Sequence, residues 1–236
     1  MTKSFSGKVA LVTGASRGIG RAAAIALGRE GAHVICVART VGGLEETDDA
    51  IQKAGGTATL VPLNLKDFAA IDRLGASIFE RWKKLDAFFG NAGTLGVLTP
   101  LTHLDPKVFQ ELLDINVTAN WRLLRSLDPL LRQSEAGRVL MVSSAAARRN
   151  TAFWGGYAMS KAALEMITFT YAAECNGTNV KVNVLDPGPV RTIMRAKAMP
   201  GEDPATLPRP EELTPMILEA LSAANDKTGE LIKFRK

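Results

Sequence analysis

Val9-Ala10-Leu11-Val12-Thr13-Gly14-Ala15-Ser16-Arg17-Gly18-Ile19-Gly20 is the stretch that decides the fold. Four apolar residues run straight into a glycine-rich turn, and a helical pattern begins at Gly18. Glycines let a backbone turn tightly and come close to a diphosphate. The helix behind them offers unpaired N–H groups and about half a positive charge. The spacing is T-G-x-x-x-G-x-G rather than G-x-G-x-x-G. Its position between a first strand and a first helix gives it weight that a glycine turn alone lacks. Gly14, Ser16, Arg17, Gly18, Ile19 and Gly20 are the expected phosphate-side contacts of a dinucleotide.

Outward from this stretch, short apolar runs alternate with longer amphipathic ones. Residues 9–12, 34–37, 59–63, 87–89, 139–142, 180–185 and 231–234 read as strands. Several are continuously apolar, as strands covered on both faces must be. Helical patterns include Gly18–Glu30, Phe68–Lys83, Lys107–Gln133 and Gly156–Glu174. This β-α rhythm predicts an α/β fold: a Rossmann-type doubly wound parallel sheet of about seven strands, with helices on both faces in three layers. No linker or repeat divides residues 1–236, so a single domain is expected. Residues 192–215 interrupt the rhythm with Pro200, Pro204, Pro208, Pro210 and Pro215. That segment reads as loop with short helical pieces, and as a substrate lid following a strand end.

The second strand ends in Ala38-Arg39-Thr40. In an open α/β sheet this point faces the adenosine ribose. A carboxylate would accept from a 2′-hydroxyl and repel a 2′-phosphate. Arg39 does the reverse, and Arg17 adds a second cation, so NADP(H) is the expected cofactor.

The 236 residues are 46% hydrophobic and 22% charged, ordinary for a chain that buries a core. The net charge is +5, but Lys and Arg are scattered without interleaved aromatics, so no nucleic-acid partner is expected. No run is long enough to span a membrane, and residues 1–7 lack an apolar signal core. A cytoplasmic location is the expectation. Cys36 lies in an apolar run and reads as a buried thiol. No metal-ligand spacing appears.

Tyr157-Ala158-Met159-Ser160-Lys161 falls on a predicted helix, where residues four apart share a face. A free phenol titrates near pH ~10. Bringing it to neutrality takes roughly 4 kcal/mol, about what one ammonium at ~4 Å supplies at an effective dielectric near 20. Tyr157 and Lys161 therefore form a sufficient acid/base unit. The strand at 139–142 ends in Ser143-Ser144, where a hydroxyl can orient a substrate oxygen. Asn116 is placed to hold a water beside Lys161 and feed a proton path.

Together these segments resemble the short-chain dehydrogenase/reductase family. The matching pieces are T-G-A-S-R-G-I-G at 13–20, N-A-G at 91–93, Asn116, Ser144, Tyr157 with Lys161, and P-G-P-V-R-T at 187–192. They occur in the family's order over nearly the whole chain. The resemblance implies that Asn116, Ser144, Tyr157 and Lys161 form a catalytic tetrad. It further implies cofactor contacts from Asn64 and Leu65, from Asn91, Ala92 and Gly93, from Tyr157 and Lys161, and from Pro187, Gly188, Val190 and Thr192. Three departures stand out. The usual N-N-A-G reads Gly90-Asn91-Ala92-Gly93, Asn64 replaces an aspartate near the adenine pocket, and the C-terminus lacks V-D-G-G. Without that ending, a homodimer through Lys107–Gln133 and Gly156–Glu174 is expected ahead of a tetramer.

The expected activity is hydride transfer between NADP(H) and a small carbonyl or alcohol, with Tyr157 as the acid/base. Arg148 and Arg149 are placed to meet an acidic substrate group or to stay solvated. Two rival readings are a 3-oxoacyl-carrier reductase and a non-catalytic NADPH-binding regulator. The regulator would lose the tetrad, which this chain keeps.

Overall fold

The computed structural model describes residues 3–234. Seven parallel strands form one sheet in the order β3-β2-β1-β4-β5-β6-β7. In chain order these are β1 Val9–Thr13, β2 His33–Ala38, β3 Thr57–Pro62, β4 Ala87–Gly90, β5 Arg138–Val142, β6 Lys181–Asp186 and β7 Leu231–Lys233. The helices are α1 Gly18–Arg29, α2 Val41–Lys53, α3 Phe68–Trp82, α4 Pro106–Leu112, α5 Ala119–Gln133, α6 Gly155–Glu174, α7 Ile193–Ala198 and α8 Thr214–Leu221. The order turns back between β1 and β4, so a crevice opens at their carboxyl ends.

Alternation along each strand builds the layers. Leu11 and Phe88 point into a core with Ile71, Leu74, Leu123, Leu127 and Leu164 from α3, α5 and α6. Ala10, Val12 and Phe89 point the other way, onto Ala23, Leu27, Leu44, Ile51 and Ile217 from α1, α2 and α8. Every residue of β1, β4 and β5 is buried, which accounts for the unbroken apolar runs at 9–12, 87–89 and 139–142. Cys36 of β2 is likewise buried, and burial pushes its thiol up to about 12.

Three parts of the fold differ from the sequence reading or complete it. The pattern at 107–133 is one helical path, but Leu113–Thr118 winds as a π-turn between α4 and α5. Helix α2 belongs to no stretch named above. The proline-rich segment holds α7 and two 3₁₀ turns, Pro204–Thr206 and Pro210–Leu213, before α8 starts at Thr214.

At the amino ends of the central strands, Asp86 ties three elements. It is buried, and its carboxylate accepts from Val9 N–H at 2.9 Å, Ser134 Oγ at 2.6 Å and Lys84 Nζ at 3.2 Å. Replacing it strands buried donors, each of which costs about 1–3 kcal/mol. Asp86→Ala is expected to lower unfolding free energy by about 2–3 kcal/mol in urea titration. A loss under about 0.5 kcal/mol would show the knot to be idle.

No helix among the described residues is long and apolar enough to cross a membrane.

Candidate active site

The crevice at the carboxyl ends of the strands is a cleft of about 620 Å³. Its floor begins at the turn after β1. A Cβ on Gly20 would meet the Gly14 carbonyl at 2.3 Å and Asn91 Nδ2 at 2.5 Å, so only glycine lets the loop close this tightly. Asn91 clamps the loop from the end of β4. Its Nδ2 donates to the Thr13 carbonyl at 3.0 Å, and its N–H donates to Thr13 Oγ1 at 3.0 Å. Helix α1 starts after Arg17 with no side-chain cap and no acidic residue in its first turn. The N-terminus of α2, after Thr40, is likewise uncapped and without acid. Two positive helix ends therefore open on the side of the cleft lined by Arg17, Arg39 and Thr40. Neither Arg17 nor Arg39 has an ion-pair partner among the described residues. A phosphate-bearing nucleotide fits this chemistry: close backbone, free N–H groups and free cations.

The opposite end of the cleft carries the proton chemistry. Tyr157 and Lys161 lie one turn apart on α6 and are 7% and 3% exposed. Ser144 follows β5, and its Oγ accepts from Ala146 N–H at 3.2 Å, starting a 3₁₀ turn over Ala145–Arg148. Lys161 Nζ donates to the Val142 carbonyl at 2.8 Å and sits 6.0 Å from the Tyr157 ring centre. The Trp154 ring meets Tyr157 edge-on at 6.0 Å, fixing the phenol's direction. Seen from Gly93, a Cβ would lie 3.2 Å from Asn116 Oδ1 and 3.4 Å from Lys161 Nζ, so amide and ammonium converge there.

Burial dominates the electrostatics. It pushes the Tyr157 phenol up to about 12, with the nearby Ser144 hydroxyl pulling down and Asp186 adding to the rise. The Lys161 ammonium falls to about 8 because it is desolvated, with Glu165 opposing the fall. Burial is the largest influence on the phenol and opposes the lowering that a nearby ammonium supplies.

All the residues expected to bind cofactor or react line this one cleft, except Gly20 and Asn116. Gly20 lies just beneath the loop. Asn116 lies fully buried in the π-turn. Its Oδ1 accepts from Thr94 N–H at 2.8 Å, and its Nδ2 donates to the Thr94 carbonyl and to Ser160 Oγ, both at 2.9 Å. Both amide hydrogens are thus committed to protein partners, and the side chain fastens the loop after β4 to α6. The π-turn frees carbonyls that Asn120 satisfies: its Nδ2 donates to the Ile115 and Asn116 carbonyls at 3.2 and 3.0 Å. Asn120 escaped the sequence reading, where it looks like any polar residue in a helix. Arg148 stays partly solvated, one of its two expected settings, and also pairs with Glu165 and Asp186.

Residues 8–203 match the family model described as short chain dehydrogenase. The chain belongs to that family. As a short chain dehydrogenase it is an oxidoreductase, and its relatives bracket the cofactor question. It is 36% identical over 214 residues to the uncharacterised oxidoreductase YciK of Escherichia coli (strain K12), covering 89% of this chain and 84% of that one. A short chain dehydrogenase from Shigella flexneri 2a, solved in complex with NADP, superposes with a TM-score of 0.94 at 35% identity over 99% of each chain. An NAD-dependent oxidoreductase of Mycobacterium tuberculosis (strain CDC 1551 / Oshkosh) is 34% identical over 205 residues, 81% of this chain and 74% of that one. Within the family pattern, the glycine at 90 has a local cause: a Cβ there would strike Met141 Sδ at 2.3 Å.

Proposed function

We propose that this short chain dehydrogenase reduces an apolar ketone or aldehyde with NADPH, Tyr157 giving the proton. The observation that carries the reading is one cleft holding Arg39 and the glycine loop at one end and Tyr157, Ser144 and Lys161 at the other. Gly14, Gly18 and the end of α1 bind the diphosphate, and Arg39 with Arg17 takes the 2′-phosphate. Asn91, Ala92 and Gly93 with Asn64 and Leu65 flank the adenosine half. Pro187, Gly188, Val190 and Thr192 flank the nicotinamide half. Bound there, the reduced nicotinamide supplies the hydride. Ser144 orients the carbonyl oxygen, Tyr157 protonates it, and Lys161 holds charge beside the phenol. Asn116 keeps the loop carrying Gly93 against Lys161.

The mouth of the cleft favours an apolar substrate. Leu95 and Trp154 line it, together with Ile193 and Met194 of α7. Residues 192–215 serve as the lid, stiffened by the ion pair of Arg195 with Glu202 at 2.6 Å. Exposed Trp121 on α5 and Met166 on α6 mark the surface of the expected homodimer.

Consumption of NADPH with straight-chain ketones, aldehydes and 3-oxoacyl thioesters tests this reading. Turnover is expected, with kcat/KM rising about threefold to fourfold per added methylene over a few carbons. No oxidation of NADPH by any carbonyl would overturn the reading. It would favour a binding protein without turnover.

A further inference from the structure

Behind Lys161 lies a second set of charges. Tyr157, Lys161 and Glu165 occupy successive turns of α6 and share one face. Glu165 is 7% exposed, and Asp186 at the end of β6 is 6% exposed. A lone carboxylate that deep would take up a proton rather than stay ionised. Each of these has a cationic partner instead. The Arg148 guanidinium bridges them, Nη1 donating to Glu165 Oε1 and Nη2 to Asp186 Oδ2. Ser143 Oγ donates to the same Glu165 oxygen at 2.5 Å, and Gly188 N–H donates to Asp186 Oδ1 at 3.2 Å.

One arginine thereby joins three pieces of the cleft wall: the turn that carries Ser144, the helix that carries Tyr157 and Lys161, and the strand end leading to Pro187-Gly188. Two carboxylates with one guanidinium leave one negative charge over, and Lys161 is the buried cation beside it. The groups facing Lys161 can be taken element by element. Its own helix presents Tyr157 and Glu165. Strand β5 presents the Val142 carbonyl, and the loop after β4 presents Gly93. The π-turn presents the neutral amide of Asn116. Glu165 is the charge among these that favours the ammonium. Asp186, from β6, acts on the phenol in the same sense. Both carboxylates therefore favour the proton-bearing state of the pair that must donate.

We propose that Glu165 is a positioning residue that supplies the counter-charge of the Lys161 ammonium, and that Arg148 sets the size of that charge by bridging Glu165 to Asp186. Its consequence for rate rests on the reductase reading; its consequence for Lys161 does not.

The test is a ¹³C NMR titration of protein labelled at the lysine ε-carbon, with Lys161 assigned by its loss in Lys161→Met. The titration is run on the free protein and on the protein saturated with NADP⁺. Glu165→Gln removes the counter-charge, so the Lys161 midpoint should move down by about one pH unit. Arg148→Gln leaves Ser143 Oγ and Gly188 N–H donating to the two carboxylates, so neither is alone; they stay ionised but less compensated, and the midpoint should move up. Opposite shifts are the signature; a scaffold role would move both the same way or neither, and would overturn the proposal. Either folded variant decides through the sign of its own shift. If neither folds, the double variant Arg148→Gln/Glu165→Gln, which removes both charges, must shift downward or the proposal fails. With a turned-over substrate, Glu165→Gln should lower kcat about fivefold at pH 8 and little at pH 6, with KM for NADPH unchanged. If no carbonyl is turned over, the reductase reading fails while the titration still decides this one.

Discussion

Tyr157→Phe is expected to lower kcat by about 10³ while NADPH affinity changes by less than about threefold. Phenylalanine keeps the ring and its edge contact with Trp154. It removes only the oxygen that would protonate the product. General acid catalysis contributes about 10²–10⁴ in rate, and the Ser144 hydroxyl remains to orient the carbonyl, so some turnover should persist. Single-turnover NADPH oxidation with cofactor titration by fluorescence separates the two quantities. A variant within a few-fold of native kcat would remove Tyr157 from the mechanism.

The same tyrosine sets a direction. A phenol pushed up to about 12 carries its proton throughout the neutral range, which suits donation. Acting as a base it must first be deprotonated, so oxidation of an alcohol should accelerate as pH rises. Reduction should behave in the opposite way. The Lys161 ammonium is lowered to about 8, so its charge is complete below that pH and lost above it. The reductive rate should be flat at lower pH and fall above about 8. A pH profile in both directions checks the two signs together, and a reductive rate that climbs through pH 8 to 9 would contradict the assignment.

What the sequence disclosed and what it withheld follows from the range of the interactions. Val9 to Val12 and Val139 to Val142 announce buried parallel strands because both faces are covered and every residue must be apolar. Tyr157 and Lys161 are legible because a helix fixes their relation within one turn. The glycine loop is legible because its constraint is local: Gly20 must clear Gly14. The ion pairs of Arg148 were not legible because its partners lie 17 and 38 residues away, and pairing at that distance exists only after folding. A signal was available in Glu165, four residues past Lys161 on the same face. The π-turn at Leu113–Thr118 depends on Asn120 reaching back to two carbonyls, and helical periodicity does not encode that. The burial of Tyr157 was withheld for a related reason. An ammonium four residues away is visible in the spacing, whereas desolvation depends on what Trp154 and the cleft wall exclude.

Arg39→Asp should shift the ratio of kcat/KM for NADPH over NADH by about 10³ toward NADH. The argument starts from what surrounds the side chain. Arg39 follows β2, lines the cleft, and has no ion-pair partner among the described residues. The uncapped N-terminus of α2 begins two residues later, and Arg17 stands across the glycine loop. A cation left unpaired beside a positive helix end costs repulsion, unless an anion is meant to lie between them. A ribose 2′-phosphate is such an anion, and a forked guanidinium can hold it through two charge-assisted hydrogen bonds worth about 1.5–3 kcal/mol each. Aspartate removes that attraction and adds repulsion, while offering an acceptor to the 2′-hydroxyl of NADH. Together these amount to roughly 4 kcal/mol, or about 10³ in the ratio. Because Arg17 and the α2 terminus remain, NADPH should still bind, with an affinity that weakens with added salt. Steady-state kinetics with both cofactors at two ionic strengths would read the switch, and an unchanged ratio would place the 2′-phosphate elsewhere in the cleft.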